Sequence, residues 1–287
     1  MTTTVLLLFG AVLLFMLALA GVCHLLPKLG APGRALARRA IRAPGLDVLV
    51  FLFTVAPWTT GIVLGAVLVD AWWGFAAFAA VAVAAQAASL IVWAQLHELI
   101  AGRPRREHRI HPTLNSIVGR ARNHAALWWT AWAVPLFWLV RMGEWFIYPP
   151  LTWWARLPKY RSAEWVNVSR QKFDGLVGYD LIWCLYCDWM TGVWSLGSEM
   201  LRNVESFWCP IRFSNKAKCD NCAVDFPDVN SDWVPADATM GDVTRLLRDK
   251  YPSRDGSNPW FGHPVRLTVE GEAPPDASPA TPDAQTN

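Results

Sequence analysis

Five cysteines lie close together in the second half of the chain, and their spacing suits the binding of a metal ion. They are Cys184, Cys187, Cys209, Cys219 and Cys222, and they lie within 39 of the 287 residues. The two-residue gap of a Cys-x-x-Cys pair lets both thiolates reach one ion, so two such pairs could form a tetrahedral four-sulfur site. Zinc or an iron–sulfur cluster would fit this site. We therefore predict four ligands from the two pairs, with Cys209 as a spare or substitute.

Three other interpretations of these cysteines stay open at this point. They could form disulfides if they face an oxidising compartment. They could also be reduced, buried side chains that bind nothing. Finally, one pair could be a dithiol redox centre, because the Cys-x-x-Cys motif lowers the pKa of a thiol. In that last case the protein would be a membrane thiol oxidoreductase, and the sequence alone does not decide whether it is an enzyme.

The residues between the two pairs predict a helix, which Pro210 ends. Cys209 would then lie at the end of this helix. Its apolar residues share one face and its polar residues fall elsewhere. The apolar set is Met200, Leu201, Val204, Phe207 and Trp208, and the polar set is Glu199, Arg202, Asn203 and Glu205. In the second pair, the Asp-Asn between Cys219 and Cys222 predicts a tight turn in a loop, because both residues tolerate left-handed backbone.

The composition is that of a membrane protein with a separate polar part. Hydrophobic residues make up 53% of the chain, and the mean hydropathy is +0.22. Twelve of the 18 tryptophans lie between Trp128 and Trp208, and Trp favours membrane interfaces. Most bases lie in loops beside apolar segments, whereas the residues from Asp220 onward hold twelve acids and five bases. We therefore predict membrane lipids and other membrane subunits as partners, and no nucleic acid.

Three apolar segments, at about residues 4–25, 48–69 and 71–96, are long enough to be transmembrane helices. The first lacks the basic residues that precede the apolar run of a signal peptide, so we expect it to be retained. The loops after the first and third helices are basic, which predicts that both face the cytoplasm across the inner (plasma) membrane. His24 and His97 would then end on the same side, either as haem ligands or as ordinary interfacial histidines.

Several residues inside these segments predict how the helices pack. Pro57 predicts a kink in the second helix, because proline removes a backbone donor. The Gly61-x-x-x-Gly65 spacing allows a neighbouring helix to approach closely. Gln86 lies near the middle of the third helix and should face another helix and not lipid.

The tryptophan-rich segment 125–155 predicts an interfacial helix more readily than a fourth transmembrane helix. Pro135, Arg141 and Glu144 interrupt its apolar run, and the two charged residues are spaced to pair on a helix. The residues that follow are basic, and a full crossing would place them outside, against the positive-inside tendency. A helix that lies in the interface and returns leaves the cysteine-rich region on the cytoplasmic side.

These patterns predict a mainly α, polytopic helical membrane protein with three transmembrane helices and a tryptophan-rich interfacial or fourth helix. A small Cys-rich metal-binding module and a disordered acidic C-terminal tail follow, and Thr239-x-x-Asp242 predicts the cap of a short helix near the end. The predicted role is that of an accessory protein: an anchoring, assembly or electron-transfer subunit of a membrane complex. The alternatives are the thiol oxidoreductase and a structural membrane protein with extracytoplasmic disulfides. The predicted regions are a transmembrane region 1–123, a Trp-rich segment 124–180, a Cys-rich module 181–238, a C-terminal helix and packing segment 239–270, and a tail 271–287.

Overall fold

The fold is helical throughout the part of the chain that the structure describes. A computed structural model describes residues 2–102 and 109–251, and it contains no β-strand in these ranges. The predicted tail, and most of the packing segment before it, lie outside the described residues. The helices are α1 Thr2–Leu25, α2 Gly30–Ala40, α3 Gly45–Thr54, α4 Ala56–Leu68, α5 Trp73–Ala101, α6 Ile110–Val118, α7 Arg120–Trp129, α8 Ala133–Phe146, α9 Tyr148–Trp154, α10 Ser162–Trp165, α11 Gly178–Trp208, α12 Lys216–Asp225, α13 Asp228–Ser231 and α14 Met240–Lys250.

Two helices are long and apolar enough to cross a membrane. They are Thr2–Lys28, which joins α1 to the turn after it, and Trp73–Ala101, which is α5. They coincide with the first and third predicted transmembrane helices. These two spans confirm the prediction of a helical protein compatible with a membrane.

The second predicted transmembrane helix is broken near its middle. Helices α3 and α4 meet at a 50° bend, so together they are either one bent span or a re-entrant pair. Val55 lies at the break, and Pro57 lies in the first turn of α4. The kink that Pro57 predicts is therefore confirmed.

Gln86 of α5 occupies the backbone acceptors that this break leaves open. In a regular helix the carbonyl of Phe53 would accept from the amide of residue 57, but proline has no N–H. The side-chain Nε2 of Gln86 donates instead to the Phe53 carbonyl oxygen at 2.8 Å and to that of Thr54 at 3.1 Å. Backbone groups at membrane depth need such partners, because no water reaches them there.

Glycines bring α4 and α5 into close contact. An ideal Cβ built on Gly61 would lie only 2.6 Å from the Phe78 carbonyl oxygen of α5, and one on Gly65 would meet the backbone at Gly74. The Gly-x-x-x-Gly spacing thus has the packing role predicted for it. Helix α5 also packs on α1, and Leu8, Val12, Met16, Phe78, Ala82 and Ala85 form their shared core.

The chain divides into two compact units. The first comprises Met1–Phe137 and Val166–Gly192, and the second comprises Trp138–Trp165 and Val193–Asn287. The first unit holds both candidate spans and the bent pair. In the second unit, Thr239 and Asp242 form the predicted capping box at the start of α14.

The tryptophan-rich segment forms three short helices instead of one long one. They are α7, α8 and α9, of which the longest, α8, has 14 residues. At about 1.5 Å per residue, a helix of this length is shorter than the hydrocarbon core is thick. Among the described helices, none in this segment is long and apolar enough to be a span.

We predict that Gln86→Leu destabilises the protein by about 1 kcal/mol, because it removes the donor to the Phe53 carbonyl. The loss should shrink in a Pro57→Ala background, where residue 57 regains an amide that can donate to this carbonyl. Denaturant titration of the four proteins of this double-mutant cycle, reconstituted in bicelles, measures the coupling. Equal losses in both backgrounds would show that Gln86 does not compensate for the proline.

Candidate functional site

The first cysteine pair lies on α11, one helical turn apart. Cys187 is exposed, whereas Cys184 is partly buried, and both are free thiols. Burial raises the pKa of Cys184, and the nearby positive charge of Arg170 opposes this rise. Burial therefore keeps the Cys184 thiol protonated, while Cys187 remains open to reagents.

The second cysteine pair also lies on a helix, so the predicted loop turn is wrong. Helix α12 contains both residues, and the side chain of Asn215 caps it by accepting from the Lys218 amide at 3.1 Å. Cys219 is buried against Val229 and Trp233, and its Sγ donates to Asn230 Oδ1 at 3.1 Å. This bond requires a protonated thiol, so the geometry suits a buried neutral cysteine.

The remaining predicted ligand, Cys209, is exposed and directly follows the last residue of α11, as predicted. In the described parts of the chain, no three His, Cys, Asp or Glu side chains form a group that could hold a metal ion. The structure does not test the set of Cys184, Cys187, Cys219 and Cys222 as ligands. That set stays a prediction.

In the first unit, the start of α11 joins α5 to α6. The amide of Gly178 donates to His97 Nδ1 at 3.3 Å, and a Cβ at Gly178 would overlap the carboxylate of Glu98. The Asp180 carboxylate accepts from the amides of Ile110 at 3.1 Å and His111 at 2.9 Å. A carboxylate at a helix start satisfies open N–H groups and favours the helix dipole, so Asp180 stabilises α6.

The two histidines at the ends of α1 and α5 contact each other, so the prediction that they share a side is confirmed. The rings of His24 and His97 are 5.5 Å apart, edge to face. Lys28 Nζ lies 3.0 Å from His24 Nε2, and His97 Nδ1 accepts from Gly178. With these contacts made, the pair fits ordinary interfacial histidines.

A second histidine pair, which sequence reasoning missed, lies between α6 and α7. His111 Nε2 and His124 Nε2 are 3.2 Å apart, and the ring of Tyr179 stacks on His111. Asn123 Nδ2 lies 3.3 Å from His111 Nδ1 and donates to Asn115 Oδ1 at 2.9 Å. The side-chain amide nitrogen of Asn123 can only donate, so Nδ1 of His111 accepts from it. The Nε2 atom of His111 then carries the proton and donates to His124 Nε2.

In the second unit, α11 buries several polar side chains together with Leu196 and Met200, and it exposes large apolar side chains. Glu199, Arg202 and Asn203 are each no more than 2% exposed, whereas Leu201 is 65% and Trp208 is 55% exposed. Helix α8 follows the same pattern. Its Arg141 and Glu144 are buried and form the ion pair that their spacing predicts, while Leu139 and Phe146 are exposed.

The buried polar residues of the second unit are bonded to one another. Asn203 Nδ2 donates to Tyr160 Oη, and Tyr148 Oη donates to the Pro158 carbonyl at 3.0 Å. Burial raises the pKa of both phenols, and the negative charge of Glu199 adds to the rise. Both phenols are therefore neutral throughout the physiological range.

Arg202 forms the most enclosed ion pair of this network, with Asp228 of α13. Neither side chain is more than 2% exposed, and the guanidinium carbon of Arg202 lies 3.7 Å from the centre of the Trp233 ring. Burial raises the pKa of Asp228 to about 6, although the positive charge of Arg202 opposes the rise. Loss of either partner would leave a buried charge without compensation, so the pair holds α13 on α11.

The two aspartates beside the first cysteine pair have structural partners. Asp180 caps α6, and Asp188 accepts from the amides of Ser169 at 2.9 Å and Arg170 at 3.1 Å. Asp188 also forms an ion pair with the Arg170 side chain at 3.0 Å. These contacts give both carboxylates a structural role.

Comparisons of the chain with protein-family models, with curated proteins and with solved structures find no significant match.

We predict that the pair of His111 and His124 makes stability depend on pH. Burial lowers the pKa of His111, the neighbouring His124, Arg109 and Arg120 lower it further, and Asp180 opposes them. The unfolded chain therefore binds the proton more readily. The contribution of His111 to stability is then complete above the usual pKa of about 6.5 and is lost as the pH falls below it.

The measurement is the melting temperature in detergent between pH 7.5 and pH 5. The melting temperature of the wild type should fall further on acidification than that of a double variant with His111→Gln and His124→Gln. This variant has no titratable group at either position. Identical pH profiles would contradict a role for this pair.

Proposed function

We propose that the protein is an integral membrane accessory protein that anchors or assembles subunits of a membrane complex. Its first unit supplies the candidate spans, and its second unit lies against lipid or a neighbouring subunit at the membrane. A cytoplasmic position in the inner (plasma) membrane and the metal site of Cys184, Cys187, Cys219 and Cys222 belong to the same proposal.

The inverted polarity of α8 and α11 is the observation that carries this proposal. A helix of a water-soluble protein packs its apolar face on the core and exposes its polar face. Here Glu199 and Arg202 are buried, while Leu139, Phe146 and Leu201 are exposed. Large exposed apolar surfaces mark contact with membranes or partners, and charged residues in membrane segments face inward and pair with one another.

Exposed tryptophans support a position at the membrane surface. Trp153 and Trp154 of α9 stack on each other, with their ring centres 6.1 Å apart, and both are exposed. In the first unit, Trp129 and Trp132 are exposed as well. Such tryptophans are typical of the interface, where the ring contacts acyl chains and the indole N–H meets water.

We predict that Leu139→Lys and Leu201→Lys each destabilise the protein in a lipid bilayer, by about 1–3 kcal/mol, because a charge in lipid is unfavourable. Val224→Lys is the matched control, since Val224 is exposed on α12 next to Asp225 and should tolerate lysine. Denaturant titration in bicelles measures the differences. Leucine variants as stable as the control would show that this face meets water, and the proposal would fail.

A second candidate function, thiol oxidoreductase, rests on the exposure of Cys187 one turn from Cys184. Such a pair needs no third ligand. It could pass two electrons to a partner disulfide, which is reduced to two thiols, while Cys184 and Cys187 form a disulfide with each other. Cys187 is the attacking thiol in this proposal, because it is exposed whereas Cys184 is partly buried. Metal binding and redox chemistry thus make different predictions for the same two residues.

We predict that iodoacetamide modifies Cys187 in the folded protein and Cys219 only after unfolding, because Cys219 is buried and bonded to Asn230. Peptide mass spectrometry identifies the modified residues, and exposed Cys209 is the internal control. Zinc and iron are measured on the same preparation. Protection of both pairs that a chelator removes would support the metal site and exclude a free dithiol.

A further inference from the structure

An apolar cleft opens in the second unit between α8, α9 and the C-terminal part of α11. Its volume is about 430 Å³, and apolar side chains such as Val140, Ile147, Leu151, Trp194 and Leu201 line it. Pockets that bind small ligands have volumes of about 300–1,000 Å³. The cleft is therefore large enough for a single acyl chain but too small for a complete phospholipid.

Two polar side chains in the wall of the cleft, Glu144 and Tyr148, bond to residues that do not line it. Glu144 forms its ion pair with Arg141, and Tyr148 donates to the Pro158 carbonyl. Ser198 is the remaining polar side chain of the lining, at a partly buried position. A polar ligand would find few groups to bond in this cleft, so its walls favour a hydrocarbon chain.

The mouth of the cleft continues into the exposed apolar surface of the same helices. Ile147, Trp194 and Leu201 line the cleft and are themselves exposed. Under the proposed function this surface meets lipid, so acyl chains of the bilayer are the hydrocarbon nearest to the opening. The occupant can enter from the membrane without crossing water.

Two basic residues lie close in sequence to a residue that is bonded to the cleft wall. The bond from Tyr148 to the Pro158 carbonyl holds residue 158 beside a wall residue. Lys159 and Arg161, which come directly after it, are exposed. Arg161 is 3.4 Å from Glu164 in an exposed pair, which an anionic headgroup can replace at little energetic cost.

We propose that this cleft binds one acyl chain of an anionic membrane phospholipid, with the headgroup held by Lys159 and Arg161. The inference rests on the proposed lipid contact of α8 and α11, and it adds a defined binding site to that surface. The bound chain would fill the cleft and thereby fix the packing of α8, α9 and α11.

Gly143 offers a specific way to block the cleft. It lies in the lining, and a Cβ built on it would meet only the Ile147 side chain, at 3.9 Å. A Gly143→Leu side chain therefore has room to extend into the cleft without a backbone clash. Gly21→Leu on α1 is the matched control, because a Cβ there meets no atom within 4 Å.

The experiment uses the full chain, delipidated in detergent and titrated with phosphatidylglycerol under native mass spectrometry. We expect one tightly retained lipid in the wild type and in Gly21→Leu, and at least a tenfold weaker affinity in Gly143→Leu. Leucine favours a helix more than glycine does, so the melting temperature of Gly143→Leu should not fall. Equal lipid affinity in Gly143→Leu and wild type would overturn the proposal.

Two further arms identify the chemistry that is recognised. Phosphatidylcholine with the same chains should bind more weakly than phosphatidylglycerol, and the double variant Lys159→Gln, Arg161→Gln should remove this difference. Glycerol 3-phosphate, which has the headgroup phosphate but no chain, should not bind. If it binds as well as the lipid, or if the wild type retains no phospholipid, the acyl-chain site is excluded. Destabilisation by Leu139→Lys, at a position that does not line the cleft, would still support lipid contact of the outer face.

Discussion

A polar group in apolar surroundings must find its partner within the chain, and the described structure depends on this constraint. In the first unit, Pro57 leaves the Phe53 carbonyl without its helical donor, and Gln86 supplies one. At the start of α3, Asp47 is buried and accepts from Trp189 Nε1 at 3.1 Å. In the second unit, Arg202 and Asp228 neutralise each other. Each pair connects helices that are distant in sequence, so the constraint also determines which helices pack together.

Local sequence patterns predicted the features that depend on neighbouring residues. Proline chemistry predicted the break near Pro57, and i,i+3 spacing predicted the pair of Arg141 and Glu144. The capping box at Thr239 followed from two residues three apart. The partner of Gln86 could be predicted only as another helix, because sequence spacing does not tell which distant carbonyls lack a donor.

The orientation of α11 is a feature that the periodicity of the sequence does not predict. Helical spacing separated Leu201 and Trp208 from Glu199 and Arg202. It also grouped Met200, which is buried, with the two exposed residues, and it does not say which face is buried. In water the hydrophobic effect buries the apolar face, whereas beside lipid that driving force is absent and buried charges can pair instead. The buried contacts of Asn203 with Tyr160 and of Arg202 with Asp228 were missed for the same reason, since Asn203 and Arg202 look like an exposed polar face in the sequence.

The two cysteine pairs illustrate how equal spacing can accompany different chemistry. A thiolate is the form that binds metals and attacks disulfides, so surroundings that favour the thiol work against both functions. Cys219 donates a hydrogen bond to Asn230 inside an apolar cluster, and metal binding would have to break this hydrogen bond. Cys187 is exposed, so its thiol can react without leaving an apolar cluster. The surroundings of Cys187 therefore permit thiolate chemistry, whereas those of Cys219 oppose it, although the two Cys-x-x-Cys pairs look alike in the sequence.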